Sequence, residues 1–531
     1  MPVLKSPGPN PLAQKGGTLR RLVSAVNPDW AHWESTVGTT NSYTTQLTDT
    51  LVEWNAWEKD KDTQLLPSLA YDWWLSQDGL TWTFKLVKGA KFHNGAEMTC
   101  ADVKFMIDTH KAGRDDKGSE LRRSPRAGYI ARVKSVTCPD ATTMLVNTDG
   151  PLPSLLSSLA TGTFAVLPKS VYEGNLKAII DKPNIGMGPF VVEKVVAGET
   201  TSYKRFADFW NQPYPYLDGL LNNNVGSSTA VYAGMRTGRA ELGSIPAGNI
   251  KQEMDRGFFS FQWDYAHGVN FIDINAQRQP WGDSRVRMAM RCALNSGQYF
   301  QTVGNSISGN PDMGVYPSRD RWALPLARQK AVHPCLDPAT PMTTRVDTGR
   351  KLMAELGFGP NKRLAADMLI RGTGGDTSFD TIVANMSEIY IDAKARLLDT
   401  ANAYQAAYAG EFDFHPSGFI TARHDPDQWL FEHFLSKSDR NYGKWTNAEM
   451  DAMLDKQSRT VDPAARLEQV LKIQEVLLKE TAKIAITHQQ QPVGTAPWLK
   501  DYHITQPTIG NSTTKFTRTW IDAAELKAKG G

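Results

Sequence analysis

The densest group of potentially reactive side chains lies between residues 413 and 425. Asp413, His415, His424 and Asp425 are the residue types that hold metal ions or exchange protons, provided that the fold brings them together. Asp413, however, falls within the alternating strand pattern EFDF, and Asp425 precedes Pro426 as a helix N-cap does. The pattern therefore favours structural roles, and we expect no metal site here.

Other motifs of catalysis or cofactor binding are missing from the sequence. It contains neither H-E-x-x-H nor G-x-S-x-G. The run Gly186-Met187-Gly188 has the spacing of a nucleotide loop, but a strand pattern follows it instead of a third glycine and a helix. The glycine-rich run at 372–375 lacks a Gly-Lys-Ser/Thr completion. We expect no catalytic residue and no cofactor.

The four cysteines, Cys100, Cys138, Cys292 and Cys335, have neither the spacing of a zinc site nor that of a redox pair. An even count permits disulfides in any of three connectivities. Buried free thiols are the interpretation that we favour at this point.

The composition describes a soluble, folded protein of more than one lobe. The 531 residues exceed what one compact core organises, and 40% of them are hydrophobic. With 59 basic and 56 acidic residues, the formal net charge of +3 is too balanced for a nucleic-acid partner. No stretch approaches the ~20 apolar residues of a membrane span. Residues 1–16 are expected to form a flexible leader without the apolar core of a signal peptide.

The segment from Leu66 to Phe105 is predicted to form a hairpin, a turn and a helix in close succession. Trp73 to Ser76 and Leu80 to Leu86 are predicted to pair as a hairpin around Gln77-Asp78-Gly79, with Leu80, Trp82, Phe84 and Leu86 on one face. A second turn is predicted at Asn94-Gly95. Thr99 and Asp102 have the spacing of a capping box and predict a helix through about His110.

As a string, this segment resembles the hallmark of the family 5 (peptide/nickel-type) extracellular solute-binding proteins, the ligand-capturing subunits of ABC importers. Further matches follow in the family's order: the GTL start at Gly17, IGMGPF at 185–190, FIDIN at 271–275 with DSRVRMA at 283–289, and the helix after Asp462-Pro463. Met187 departs from the small residue that is usual there. The resemblance spans about Gly17 to Thr505.

The resemblance implies an α/β, bilobed periplasmic-binding-protein-like fold with a two-strand hinge. We expect crossings near 266–271 and 491–502, so that lobe I comprises 17–270 plus 500–531 and lobe II comprises 271–499. Lobe I would carry an extra subdomain of about 55–185. With this division, the pairings Cys100–Cys138 and Cys292–Cys335 are those that stay inside one lobe.

The implied function is that of a non-catalytic binding protein that takes up a small solute by hinge closure and presents it to the permease subunits. A monomer without cofactor is expected. The resemblance also implies a periplasmic or extracellular location, with the natural export signal removed and an initiator Met supplied.

One departure bears on the ligand. Peptide-binding relatives carry a GW-x-x-D stretch whose aspartate pairs with the ligand's α-amino group, and this position falls here on Ala422. An ammonium buried without a carboxylate would lose several kcal/mol. We therefore expect no ordinary free-amine peptide. Arg423 suits a carboxylate or phosphate, and the many aromatic residues suit sugars or aromatic compounds, so an oligosaccharide, an aromatic or anionic compound, or a modified peptide remain open.

By approximate position in the family, the predicted ligand contacts are Tyr43, Trp54, Met187, Gly188, Phe419, Ala422 and Arg423. Two alternatives stay open. One is a secreted hydrolase acting on oligosaccharide or peptide, which would need converging carboxylates or a nucleophile. The other is a sensory or chaperone-like binding module.

Overall fold

The structure is a computed structural model. It describes residues 4–23, 30–33, 42–55, 64–120, 126–257, 259–264, 268–302, 314–318, 320–371, 378–420, 425–488, 491–503 and 516–528. The chain forms two compact units, and each is considered by itself. The first is built from the described residues before 265 and after 490, the second from those between. Within these ranges, no helix is both long and apolar enough to cross a membrane.

The strands, in chain order, are β1 Thr18–Val23, β2 Val52–Trp54, β3 Leu65–Pro67, β4 Ala70–Leu75, β5 Thr81–Leu86, β6 Val133–Asp140, β7 Thr143–Thr148, β8 Phe190–Val196, β9 Thr200–Arg205, β10 Gly219–Asn224, β11 Leu242–Ser244, β12 Ser260–Asp264, β13 Gly268–Ile274, β14 Leu364–Arg371, β15 Ile391–Leu398, β16 Phe414–Ile420, β17 Lys483–His488, β18 Gln491–Thr495, β19 Leu499–Lys500 and β20 Trp520–Ile521.

The helices are α1 Cys100–Ala112, α2 Leu155–Leu159, α3 Lys169–Tyr172, α4 Ala178–Asp181, α5 Ser228–Arg236, α6 Ala247–Arg256, α7 Ser284–Ala293, α8 Ser296–Thr302, α9 Leu326–Val332, α10 Met342–Glu355, α11 Ser378–Ser387, α12 Thr400–Ala409, α13 Pro426–Phe434, α14 Ala448–Arg459, α15 Pro463–Glu480 and α16 Ala523–Ala528. Short 3₁₀ turns cover Ala127–Ile130, Gly162–Phe164 and Pro334–Leu336.

The first unit is organised by a seven-stranded mixed sheet in the order β12-β18-β11-β1-β10-β9-β8. Strand β1 runs parallel to β10 and β11, whereas β18 lies antiparallel between β11 and β12. Because β18 comes from the C-terminal part of the chain, this sheet joins segments that are more than 200 residues apart. A separate four-stranded sheet has the order β4-β5-β7-β6.

The hallmark segment folds largely as its pattern predicts. Strands β4 and β5 pair antiparallel around a turn in which Gly79 has a φ of 73°. Along β5, Trp82, Phe84 and Leu86 are buried, as the period of two requires. Helix α1 begins at a capping box between Thr99 and Asp102 and ends at Gly113 in the left-handed conformation.

The second unit contains a five-stranded sheet in the order β15-β14-β16-β13-β17. Strand β14 runs parallel to β15 and β16, while β13 is antiparallel to both β16 and β17. Helix α15 begins where the sequence predicts it, with the Asp462 carboxylate accepting a hydrogen bond from Ala465 N–H and Pro463 in the first turn. Its buried residues pack into a core with Phe271, Trp429 and Phe434.

Both cysteine pairs are disulfides, so the interpretation as buried free thiols is wrong. Cys100 is bonded to Cys138, and Cys292 is bonded to Cys335. Helix α1 and strand β6 contact each other through the first pair, while the second links α7 to the 3₁₀ turn Pro334–Leu336. Composition and burial alone did not separate the two states, because a buried thiol and a buried disulfide both suit an apolar core.

Candidate functional site

In the second unit, three parallel strands end at the same edge of the sheet. Strands β14, β15 and β16 finish there at Arg371, Leu398 and Ile420. In open α/β sheets, ligands bind at the carboxyl ends of the strands. The predicted contacts Ala422 and Arg423 follow β16 directly in sequence, but they lie outside the described residues.

Asp425, the first described residue after β16, is held by a buried ion network. The Arg466 guanidinium donates to both carboxylate oxygens of Asp425 at 2.8 Å and to Asp427 at 3.0 Å. Gln457 donates to Asp427 at 2.6 Å. The Asp425 carboxylate also caps helix α13 by accepting from Asp427 N–H. Because every member of the network is buried and hydrogen-bonded, the start of α13 has a single defined position.

Phe419, next to the last residue of β16, is held by aromatic packing. Phe419, a predicted contact, is 4% exposed and stacks on Trp429 with ring centroids 5.1 Å apart. The His433 ring meets Phe419 edge-on at 4.4 Å, and the Arg440 guanidinium lies 5.4 Å from the centroid of the Phe419 ring. The contacts of Phe419 among the described residues are therefore those of a core residue of this unit.

Arg371 is a feature of the edge that sequence reasoning missed. It is exposed at the end of β14, and its guanidinium donates to the hydroxyl of Tyr404 and lies 5.1 Å from that ring's centroid. No carboxylate contacts it within the described ranges. The sequence feature that could have identified Arg371 is its place directly before the glycine-rich run at 372–375.

Tyr43 and Trp54, two of the four predicted contacts in the first unit, are both buried. Tyr43 is 4% exposed and packs with Leu47, and its backbone carbonyl accepts a hydrogen bond from Tyr203 at 3.2 Å. Burial raises the pKa of the Tyr43 phenol. Trp54 is 2% exposed, lies in strand β2 and belongs to the core of the four-stranded sheet.

Met187 and Gly188 are enclosed by the first unit. Met187 is completely buried, in the same core as Trp54. Gly188 donates its N–H to Leu47 at 2.9 Å, and a Cβ at Gly188 would lie 2.5 Å from the Thr48 nitrogen and 2.6 Å from the Gln46 oxygen. The glycine is therefore required by close approach of two backbone segments.

His93 is a satisfied loop histidine, as the sequence predicts. Its Nε2 donates to the Gly188 carbonyl at 3.0 Å, and its Nδ1 accepts from Gly186 N–H at 3.3 Å. Burial lowers the pKa of His93 to about 4. The imidazole therefore ties the hallmark turn to the 186–188 loop in its neutral form.

The candidate metal or acid/base cluster is not assembled. Asp413 pairs with Arg278 at 2.8 Å, and His415 donates to the Leu369 carbonyl at 2.8 Å, both near the start of β16. Asp425 lies beyond the far end of that strand and pairs with Arg466. A strand of seven residues spans about 20 Å, so these groups are separated by the length of β16. His424 lies outside the described residues.

Comparison with known sequences gives the family. The family described as bacterial extracellular solute-binding proteins, family 5 (middle region), matches residues 64–442. The dipeptide-binding protein of Escherichia coli K12 is 24% identical over 451 residues, covering 80% of this chain and 81% of that protein. A putative ABC transporter peptide-binding protein of Brucella ovis is 28% identical over 251 residues, covering 46% of this chain and 45% of its own length.

Solved structures give the fold. The periplasmic binding protein DppA of Helicobacter pylori, in complex with the peptide STSA, superposes with a TM-score of 0.79 at 20% identity, covering 96% of this chain and 98% of its own. AgaA of A. tumefaciens R10, in complex with agropinic acid, superposes with a TM-score of 0.75 at 20% identity, covering 95% and 99%. The predicted α/β periplasmic-binding-protein fold is confirmed.

Proposed function

The chain belongs to the bacterial extracellular solute-binding proteins of family 5, and we propose that it captures an anionic solute by hinge closure between two lobes and delivers it to a membrane permease. As a member of this family it is the solute-binding component of an ABC importer and not an enzyme. The alternative of a secreted hydrolase is therefore wrong.

The position of Ala422 carries the proposal on the ligand. No acidic residue occurs between Asp413 and Asp425, so a shift of one or two residues in the alignment does not restore a partner for an α-amino group. Asp413 and Asp425 are themselves engaged by Arg278 and Arg466. A peptide with a free α-amine would bury its ammonium without a counter-ion, at a cost of several kcal/mol.

The positive charge at the strand ends supports an anionic ligand. Arg371 ends β14, and Arg423 follows β16 in the sequence. Arginine presents several N–H donors in a plane that matches a carboxylate or a phosphate. AgaA, which shares the fold, is a relative in complex with agropinic acid, whereas DppA of H. pylori is in complex with a peptide. Both kinds of ligand thus occur on this fold.

The proposed contacts remain Tyr43, Trp54, Met187, Gly188, Phe419, Ala422 and Arg423, to which we add Arg371. Five of the original seven are described, and all five are buried or enclosed within their own unit. They would therefore support the residues that line the site, while Arg371 and Arg423 would contact the ligand directly. The protein is further proposed to act as a periplasmic or extracellular monomer.

Two measurements test this function. Native mass spectrometry of the full chain as purified should show a co-purified small molecule whose mass identifies an acid. Calorimetric titration should then show binding of agropinic acid and no binding of the tetrapeptide Ser-Thr-Ser-Ala with its free α-amine. Tight binding of the tetrapeptide would overturn the ligand proposal while leaving the family intact.

A further inference from the structure

The second unit contains a cavity of about 20 Å³ that is independent of the strand-end edge. Its wall combines aromatic and aliphatic side chains with a few polar ones: Phe271, Leu336, Phe434, Leu478, Trp429, Arg291, Lys483 and Thr481. A volume of this size holds one particle as large as a water molecule.

The charged side chains and the indole of this wall are donors. Lys483 brings an ammonium whose side chain is 5% exposed, and Arg291 brings a guanidinium that donates to the Ala485 carbonyl. Trp429 is 3% exposed, and its indole N–H has no acceptor among the described residues. The Thr481 hydroxyl already donates to the Leu478 carbonyl at 3.3 Å. Donors and cations in an apolar shell create a positive potential.

The carboxylate that pairs with Lys483 is also bonded to a second side chain. Asp273 is fully buried, contacts the Lys483 ammonium with one oxygen and accepts from Ser417 at 2.7 Å with the other. The Lys483 ammonium also lies 4.9 Å from the Phe271 ring centroid. Burial lowers the pKa of Lys483.

We propose that this cavity binds one small monovalent anion of the size of chloride. An anion only accepts hydrogen bonds, so it can meet the Trp429 N–H and the Lys483 ammonium together. A water molecule would bring two hydrogens of its own, which neither the Trp429 N–H nor the Lys483 ammonium can accept. The inference rests on the wall of the cavity and does not depend on the proposed function.

The test uses bromide as the probe. Crystals of the full chain grown in gluconate and soaked in bromide should show an anomalous peak in the cavity, within about 3.5 Å of the Trp429 indole nitrogen and the Lys483 ammonium. In solution, bromide should raise the unfolding temperature relative to gluconate at equal ionic strength. The Trp429→Phe variant should weaken this bromide dependence about tenfold or more, since it removes one hydrogen bond to a charge.

Trp281→Phe is the matched control, because Trp281 is equally buried in the same unit but does not line the cavity. A second variant, Lys483→Met with Asp273→Asn, removes both charges together and should abolish the peak. Density in the cavity without an anomalous signal would identify water and overturn the proposal. Equal bromide dependence in Trp429→Phe and Trp281→Phe would overturn it as well.

Discussion

The Arg466 guanidinium donates two parallel hydrogen bonds of 2.8 Å to the Asp425 carboxylate, and both side chains are buried. Asp425 follows Ala422 and Arg423 closely in the sequence. The pair joins helix α15 to the start of α13.

Arg466→Met should destabilise the protein by about 3–5 kcal/mol, because Asp425 and Asp427 would remain buried without their cation. Arg466→Lys should lose part of this, since an ammonium cannot form the two parallel bonds. Equilibrium urea unfolding measures both. Arg328→Met is the control: its pairs with Glu468 and Glu475 lie at the surface, so the change should be small. Equal losses for Arg466→Met and Arg328→Met would contradict this account.

Gly188→Ala should destabilise the first unit by about 1–3 kcal/mol, because the added Cβ would overlap the backbone at Gln46 and Thr48. Gly128→Ala provides the comparison within the same unit, since a Cβ there would meet no heavy atom within 4 Å. Thermal unfolding should separate the two variants clearly. Similar unfolding temperatures for both would show that the 186–188 loop can move.

Stability should fall steeply in acid because of two buried histidines. His32 accepts from Asn184 at 2.8 Å and His110 donates to the Thr163 carbonyl at 2.9 Å. Burial lowers the pKa of each to about 3, from an ordinary value near 6.5. Between these two pH values the unfolded chain therefore binds more protons than the folded chain. The contribution of the two histidines to the free energy of unfolding is fully present above about pH 6.5. It is lost toward pH 3, by about 1.4 kcal/mol per pH unit for each histidine.

The check is urea unfolding at a series of pH values. His110→Gln, which keeps a donor for Thr163 and cannot be protonated, should show a shallower loss of stability with acid than the unmodified chain. Parallel curves for the two proteins would mean that other groups dominate the acid transition.

Ala422→Asp should create affinity for peptides with a free α-amine. A carboxylate at this position would supply the missing counter-ion, and we expect calorimetry to show at least a tenfold gain in affinity for Ser-Thr-Ser-Ala. N-acetylated Ser-Thr-Ser-Ala should gain nothing, because it carries no ammonium. Equal gains for both peptides would show that the new carboxylate acts on some other group.

Local pattern predicted much of the fold. The capping box at Thr99, the alternation along β5 and the N-cap at Asp462 are decided by neighbours in sequence, and all three are found. One local detail was wrong: Leu80 is 36% exposed, because it precedes β5.

Partners distant in sequence were harder to predict. The pairing of Asp425 with Arg466, of Lys483 with Asp273 and of both cysteine pairs depends on contacts across 38 to 210 residues. Arg371 was missed for the same reason. An arginine at a strand end becomes a candidate ligand contact only when three parallel strands are known to end at the same edge of the sheet. The residue type alone does not predict which strands lie side by side.

Strand β18 has a consequence for how the molecule is made. The first unit needs this strand between β11 and β12, yet β18 is synthesised only after the whole second unit. During synthesis from the N-terminus, the sheet of the first unit would have an unpaired edge at β11 until β18 is made. The second unit can already fold in that time. Release of the residues after 490 then supplies β18 and completes the sheet of the first unit.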